Sequence, residues 1–193
     1  MNLPNKLTMA RMLLGPVFMV FVSLSRYGAP GYQSWHYLVA GIVFAAASFT
    51  DFLDGYLARN WKMVTDFGKF ADPLADKLLT TVAFLYMMRD GVCSPVVVSL
   101  ILAREFAVSG LRMVAAGAKD GKVIAANMWG KVKTVLQMVT IILYFFAAAL
   151  AAPDAVGMVQ LAASVLCWVV AAVTLISGVK YLWDNRTFIN TAK

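Results

Sequence analysis

Long apolar stretches alternate with short polar joints along the whole chain, and the stretches are the length a bilayer requires rather than the length of a narrow amphipathic stripe. The pattern predicts six helices, at Leu7–Ser25, Trp35–Arg59, Lys69–Arg89, Pro95–Ala116, Ala125–Ala151 and Ala155–Tyr181. The joints carry chain-breaking residues: GAPGY around Gly28, the Asp90–Gly91 pair, GAKDGK from Gly117, and AAPDA around Pro153. The expected fold is an all-α integral membrane protein with six transmembrane helices, forming a single membrane domain over residues 1–193.

Composition supports this reading. Of 193 residues 61% are hydrophobic and 14% charged, against about 25% charged in an ordinary soluble domain. The mean hydropathy is +0.74. Six spans leave little chain for a soluble domain. Cys93 and Cys167 lie in apolar surroundings without a CxxC or Cys/His grouping, which argues against a disulfide framework or a zinc site. His36, the single histidine, opens an apolar run and reads as interfacial. Lys6 and Arg11 ahead of MLLGPVFMVFV give the N-terminus the look of a signal peptide. Gly15 and Pro16 interrupt the run and no small-x-small cleavage site follows, so the segment is expected to be retained.

The formal charge of +7 is unevenly distributed. Lys6 and Arg11, then Arg59, Lys62 and Lys69, then Lys119 and Lys122, and finally Lys180, Arg186 and Lys193 fall at alternate joints and the two termini. The remaining joints hold only Arg26 and Arg89. The positive-inside rule then puts both termini and the second-to-third connection in the cytoplasm. This asymmetry accounts for much of the positive charge without a nucleic-acid partner.

The segment DFLDGYLARNWKMVTDFGKFADPLADK, Asp51 to Lys77, carries the chemistry. Asp51 precedes Arg59 by eight residues, about 12 Å along a helix. Asp51 and Asp54 are three residues apart, and Asp72 and Asp76 four apart, so each pair shares one helix face. The short connection makes the two helices antiparallel neighbours whose carboxylate faces can meet. An ionised aspartate at the bilayer centre costs about 2.5–3.5 kcal/mol, and four together repel one another. Helix capping by Asp51 or Asp72 explains one carboxylate but not two facing pairs. Divalent cations with all-oxygen ligation, Mg²⁺, Mn²⁺ or Ca²⁺, remove the cost. Four carboxylates suit two metals, an arrangement that recurs where phosphate esters are cleaved or exchanged. Gly55, Ala58 and Gly68 keep the neighbourhood open to a bulky ligand, or serve helix packing. Arg59 suits a phosphate or nucleotide, or a lipid headgroup.

The pattern Asp51-x-x-Asp54-Gly55-x-x-Ala58-Arg59, eight residues, Gly68-x-x-x-Asp72-x-x-x-Asp76 resembles the complete signature of the CDP-alcohol phosphatidyltransferase family. The resemblance implies that Asp51, Asp54 and Asp72 hold two divalent cations, Mg²⁺ or Mn²⁺, with Asp76 a shared ligand and the candidate general base. It implies that Gly55, Ala58, Arg59 and Gly68 border the CDP part of a CDP-diacylglycerol donor. Asn5, Thr8 and Arg11, at helical spacing, would border the nucleotide too, although snorkelling also explains Arg11. Members of the family are six-helix membrane proteins and commonly homodimers.

Three further stretches, NLPNKLTMAR from Asn2, AREFAVSGLR from Ala103 and WGKVKT from Trp129, resemble the bacterial phosphatidylglycerophosphate synthase subgroup, whose acceptor is sn-glycerol 3-phosphate. An anionic acceptor agrees with the residues themselves. Glu105, Ser109 and Arg112 fall at i, i+4 and i+7, a polar stripe on an otherwise apolar fourth helix. Lys131 and Thr134 extend a second stripe from Asn127 on the fifth helix, with Lys133 beside them. Converging Arg112, Lys131 and Lys133 can bind a phosphate dianion, while positive-inside charge or contact with anionic lipid is the other reading of the lysines. Arg104 adjoins Glu105 but starts from a different face; it either supports the fold through an interhelical ion pair or contacts substrate.

The implied reaction yields phosphatidylglycerophosphate and CMP, with Asp76 orienting or deprotonating the acceptor hydroxyl and the metals stabilising the departing CMP. Such an enzyme would sit in the bacterial cytoplasmic membrane with its site facing the cytoplasm. Another acceptor within the family (inositol phosphate, serine or phosphatidylglycerol) is the nearest alternative. An ion-coupled transporter using the aspartates as a relay is the alternative from a different class; it lacks an internal repeat and does not need the Gly/Ala/Arg spacing.

Overall fold

The computed structural model describes residues 3–25, 35–61, 66–117 and 128–186, and the side chains of 13–25, 35–50, 77–113, 115 and 128–186. Six helices account for nearly all of them: α1 (Leu3–Leu24), α2 (Trp35–Trp61), α3 (Asp66–Arg89), α4 (Pro95–Gly117), α5 (Met128–Leu150) and α6 (Val156–Asp184). No strand occurs among the described residues. The predicted helices all occur, with ends within four residues of those expected. The start of α1 is the largest difference. Leu3 opens it because Pro4, in the first turn, removes an amide that would have had no helical partner.

Local chemistry sets the α3–α4 joint. Arg89 ends α3, Asp90 caps it, and Gly91 adopts φ 74°, the left-handed conformation that favours glycine. The amide of Val92 donates to the carbonyl of Met87, and that of Gly91 to the carbonyl of Met88, closing the last turn in a Schellman motif. Met87 and Val92 are buried on one another's side of that turn. Helix α4 then starts on Pro95, with the Ser94 hydroxyl accepting from the Val96 amide at 3.3 Å.

The bundle is organised around Phe18 of α1. Its ring meets Phe145 of α5 edge-on at 5.2 Å, Tyr86 of α3 edge-on at 6.3 Å, and Phe44 of α2 at 5.9 Å. Each such pair adds about 0.5–1.5 kcal/mol beyond area burial. Helix α2 approaches α5 closely at Gly41, where a Cβ would stand 3.3 Å from Phe145 Cβ. α1 packs on α2 and α3, α5 on α2 and α6, and α4 on α6. Cys93 and Cys167 are free thiols in this core.

Helices α5 and α6 are long and apolar enough to cross a membrane. Two shorter apolar stretches, Leu13–Leu24 of α1 and Trp35–Thr50 of α2, are the parts of those helices whose side chains are described. The outward faces are apolar as well: Leu143, Met158, Leu161, Val165, Trp168 and Val179 are all exposed on α5 and α6.

Candidate active site

Among the described residues, two buried polar clusters interrupt the apolar interior. The first lies where α1 and α3 end and α2 begins. The Asp90 carboxylate, fully buried, accepts from the hydroxyls of Tyr37 and Tyr144, each at 2.7 Å, and from Arg89 Nε at 2.9 Å. Arg89 also donates to the Val22 carbonyl at 3.0 Å and to the Ser25 hydroxyl at 3.1 Å. Asp90 is thereby shared by α2, α3 and α5, while Arg89 secures the end of α1. This is structural work: every group has a partner within the protein.

The second cluster joins α3, α4, α5 and α6. The Glu105 carboxylate takes two cations on one oxygen, Oε1. Lys133 of α5 donates to it, and Arg104 Nη1 donates to it at 3.1 Å. Arg104 Nη2 reaches across to the Ser177 hydroxyl on α6 at 2.9 Å. On the side facing α3, Lys77 donates to the hydroxyl of Ser109, one helical turn beyond Glu105. Lys133 is 4% exposed and Glu105 and Arg104 are part-buried, so low polarity strengthens each contact and raises the cost of leaving one unmade. Arg104 Nε is buried with no partner among the described residues.

Small residues give Arg104 its path. A Cβ on Gly178 would lie 2.7 Å from Arg104 Cγ, and one on Gly130 would lie 3.6 Å from Nη2. From its sequence Arg104 is expected either to form an interhelical ion pair or to contact substrate. The ion pair forms within α4 instead, because the long side chain bends back to its neighbour, and the interhelical contact is a hydrogen bond to a hydroxyl.

The remaining basic candidates differ from one another. Arg112 is exposed; its Nε donates to the Tyr181 hydroxyl at 3.1 Å and its guanidinium sits 5.3 Å from that ring's centre. Lys131 is exposed. Lys133 alone of the two lysines turns inward, because residues two apart on a helix point to different sides. Lys77 was missed in the sequence. Its signal was available: a cation directly after Asp76, opening a run that stays uncharged from Leu78 to Met88.

The aspartates are placed by backbone only. Asp51, Asp54, Gly55, Ala58 and Arg59 lie on α2, and Gly68, Asp72 and Asp76 on α3, as expected; Asn5, Thr8 and Arg11 lie on α1. The side chains of all of these, and with them the metal-ligand geometry, fall outside the described residues. Asp76 is nonetheless the residue before Lys77, so the carboxylate stretch of α3 runs directly into the basic cluster. The two clusters are well separated: Tyr144 and Lys133 are eleven residues apart on α5, about 16 Å. As a donor set, four carboxylates match the oxygen preference of Mg²⁺ or Mn²⁺.

The described residues thus form a helical bundle with a largely buried cationic cluster beside the aspartate-bearing α3. A family model for CDP-alcohol phosphatidyltransferase matches residues 1–177, and the chain belongs to that transferase family. Relatives match it over nearly the whole of this chain. The CDP-diacylglycerol–glycerol-3-phosphate 3-phosphatidyltransferase of Bacillus subtilis is 39% identical, over 99% of this chain and 98% of the relative. Proteins of the same name are 33% identical in Rickettsia typhi, over 97% and 98% of the two chains, and 34% identical in Pseudomonas fluorescens, over 100% and 90%.

Proposed function

We propose that this protein transfers a phosphatidyl group from CDP-diacylglycerol to sn-glycerol 3-phosphate, releasing CMP and forming phosphatidylglycerophosphate. The observation that carries the reading is the cluster of part-buried Lys77 and Arg104 with buried Lys133, which begins at the residue after Asp76. An acceptor phosphate held there brings its glycerol hydroxyl toward the α3 carboxylates. Names borne by full-length relatives support the same donor and acceptor.

In this reading Asp51, Asp54, Asp72 and Asp76 hold two divalent cations, Mg²⁺ or Mn²⁺. Bound there, the metals supply charge neutralisation for the donor diphosphate and the departing CMP. Asp76 orients the acceptor hydroxyl and takes its proton as the oxygen attacks the lipid-side phosphorus. Gly55, Ala58, Arg59 and Gly68, with Asn5 and Thr8, border the cytidine diphosphate. Arg104 and Lys133 grip the acceptor phosphate, Lys77 closes it from α3, and Arg112 and Lys131 attract it from the rim. The reaction is dominated by positioning and charge stabilisation.

A membrane location follows from the same reading. The donor's acyl chains require lipid, and the exposed apolar faces of α5 and α6 suit it. Basic residues at alternate joints orient the site and both termini to the cytoplasm of a bacterial cell. A homodimer is the expected assembly.

Purified protein incubated with CDP-diacylglycerol should release CMP only when glycerol 3-phosphate and Mg²⁺ or Mn²⁺ are both present. CMP release driven instead by serine, inositol phosphate or phosphatidylglycerol would reassign the acceptor. No release with any of them would sink the reading.

A further inference from the structure

Glu105 is an odd residue for a pocket that binds an anion. A carboxylate beside a phosphate site repels the ligand, and here it sits within the pocket's cations rather than at a distance. Its contacts explain it. Glu105 Oε1 is the common partner of Lys133 and Arg104, which approach from different helices. Lys77 joins the cluster from α3 through the Ser109 hydroxyl, one helical turn along α4 from Glu105. Without that negative charge, two cations buried between α4, α5 and α6 would face each other unscreened, and the Lys133 ammonium would be driven out of its place.

Lys77, Arg104 and Lys133 outnumber Glu105 by two charges, so the cluster stays cationic with the carboxylate in place. Arg104 meanwhile keeps a buried Nε donor unpartnered among those residues, so the ion pairs do not exhaust its capacity to bind a ligand.

We infer that Glu105 is a positioning residue for the acceptor site: it touches no substrate, but fixes the Lys133 and Arg104 head groups at one point. The inference deepens the proposed function and rests on it for the identity of the acceptor. It predicts that Glu105 controls acceptor binding through Lys133, in contrast to the simpler expectation that removing a repelling carboxylate improves it.

Two-substrate kinetics on Glu105→Gln, Glu105→Asp, Lys133→Gln and the Glu105→Gln/Lys133→Gln pair test this. Glu105→Gln should raise the acceptor KM about 10- to 150-fold, the range of one charge-assisted hydrogen bond, and leave the CDP-diacylglycerol KM unchanged. Glu105→Asp, which keeps the charge, should recover much of the loss. The double variant should be no worse than Lys133→Gln alone, because both changes remove the same contact. An unchanged or lower acceptor KM in Glu105→Gln would overturn the inference, as would fully additive effects in the double variant.

A second measurement does not depend on the acceptor's identity. Inorganic phosphate should protect wild-type protein and Glu105→Asp against thermal unfolding but not Glu105→Gln. Equal protection of all three would overturn the role of Glu105. Wild-type protein that phosphate protects but that makes no product with glycerol 3-phosphate would leave Glu105 in place and remove the acceptor assignment instead.

Discussion

Arg104 crosses α6 directly over Gly178, with its Cγ only 2.7 Å from where a Cβ on that glycine would stand. The neighbouring residue, Ser177, accepts the guanidinium at 2.9 Å. One missing methyl group thus sets the path of the side chain that links Glu105 to α6.

Gly178→Ala should therefore displace Arg104 at its stem, where the side chain has least freedom to move. Overpacking of this kind costs about 1–3 kcal/mol, against the small gain alanine normally brings to a helix. The expected result is a lower unfolding temperature together with a higher acceptor KM. Gly110→Ala, where nothing lies within 4 Å of the added Cβ, is the control and should lower neither stability nor acceptor affinity. If Gly178→Ala matched that control, Arg104 would have room that the packing denies it.

Asp90→Asn tests the other cluster. The carboxylate accepts from two tyrosine hydroxyls and pairs with Arg89 with no exposure to solvent. Breaking a buried charged network by neutralising one member costs about 3–5 kcal/mol. Tyr144→Phe removes one hydrogen bond to that charge and should cost less, about 1.5–3 kcal/mol. Denaturation of the detergent-solubilised protein measures both. Turnover per folded molecule should hold, because the cluster lies about 16 Å along α5 from Lys133. A selective loss of kcat with stability intact would give Asp90 a catalytic part.

How much of this was visible beforehand depended on the range of the interaction. The Asp90–Gly91 joint was legible because a Schellman ending is written in adjacent residues. The buried carboxylate was not, since Tyr37 and Tyr144 lie more than 50 positions away in either direction. Likewise Glu105, Ser109 and Arg112 were recognisable as one stripe by helical spacing. Which cation met Glu105 depended on α5 and on the reach of Arg104, neither of which helical spacing specifies. Lys77 escaped notice because the aspartates beside it offered a complete motif without it. The six helices were the easiest part, since long apolar runs need no partner to be recognised.

The proposed metal ligands give the steepest expected effects. Asp51→Ala, Asp54→Ala and Asp72→Ala should each reduce turnover below about a tenth of wild type at saturating Mg²⁺, with the protein still inserted and folded. Chelation should do the same reversibly to the unmodified enzyme. Asp76→Asn should retain donor and metal binding while chemistry stops, as expected of a residue acting mainly as base. Loss of CDP-diacylglycerol binding in that variant would make Asp76 principally a ligand.

The acceptor cations should separate by burial rather than by charge. Lys133 is inside the bundle and fixed by Glu105, Arg112 is exposed but leans on Tyr181, and Lys131 is exposed. A contact remote from the reacting hydroxyl is made in both ground and transition states, so its loss appears chiefly in KM. Lys133→Gln should raise the acceptor KM about 10- to 150-fold, matching a charge-assisted bond of about 1.5–3 kcal/mol. Lys131→Gln should change it by no more than about 5-fold, the worth of an exposed charge, and that change should fade as salt is raised. Arg112→Gln should fall between them, because it loses the Tyr181 contacts as well as its charge. The measurement is acceptor KM for all three variants at low and high ionic strength in nanodiscs, with the CDP-diacylglycerol KM expected to stay constant. Should Lys131→Gln prove the most damaging of the three, the phosphate is held at the rim, and the buried cluster serves the fold alone.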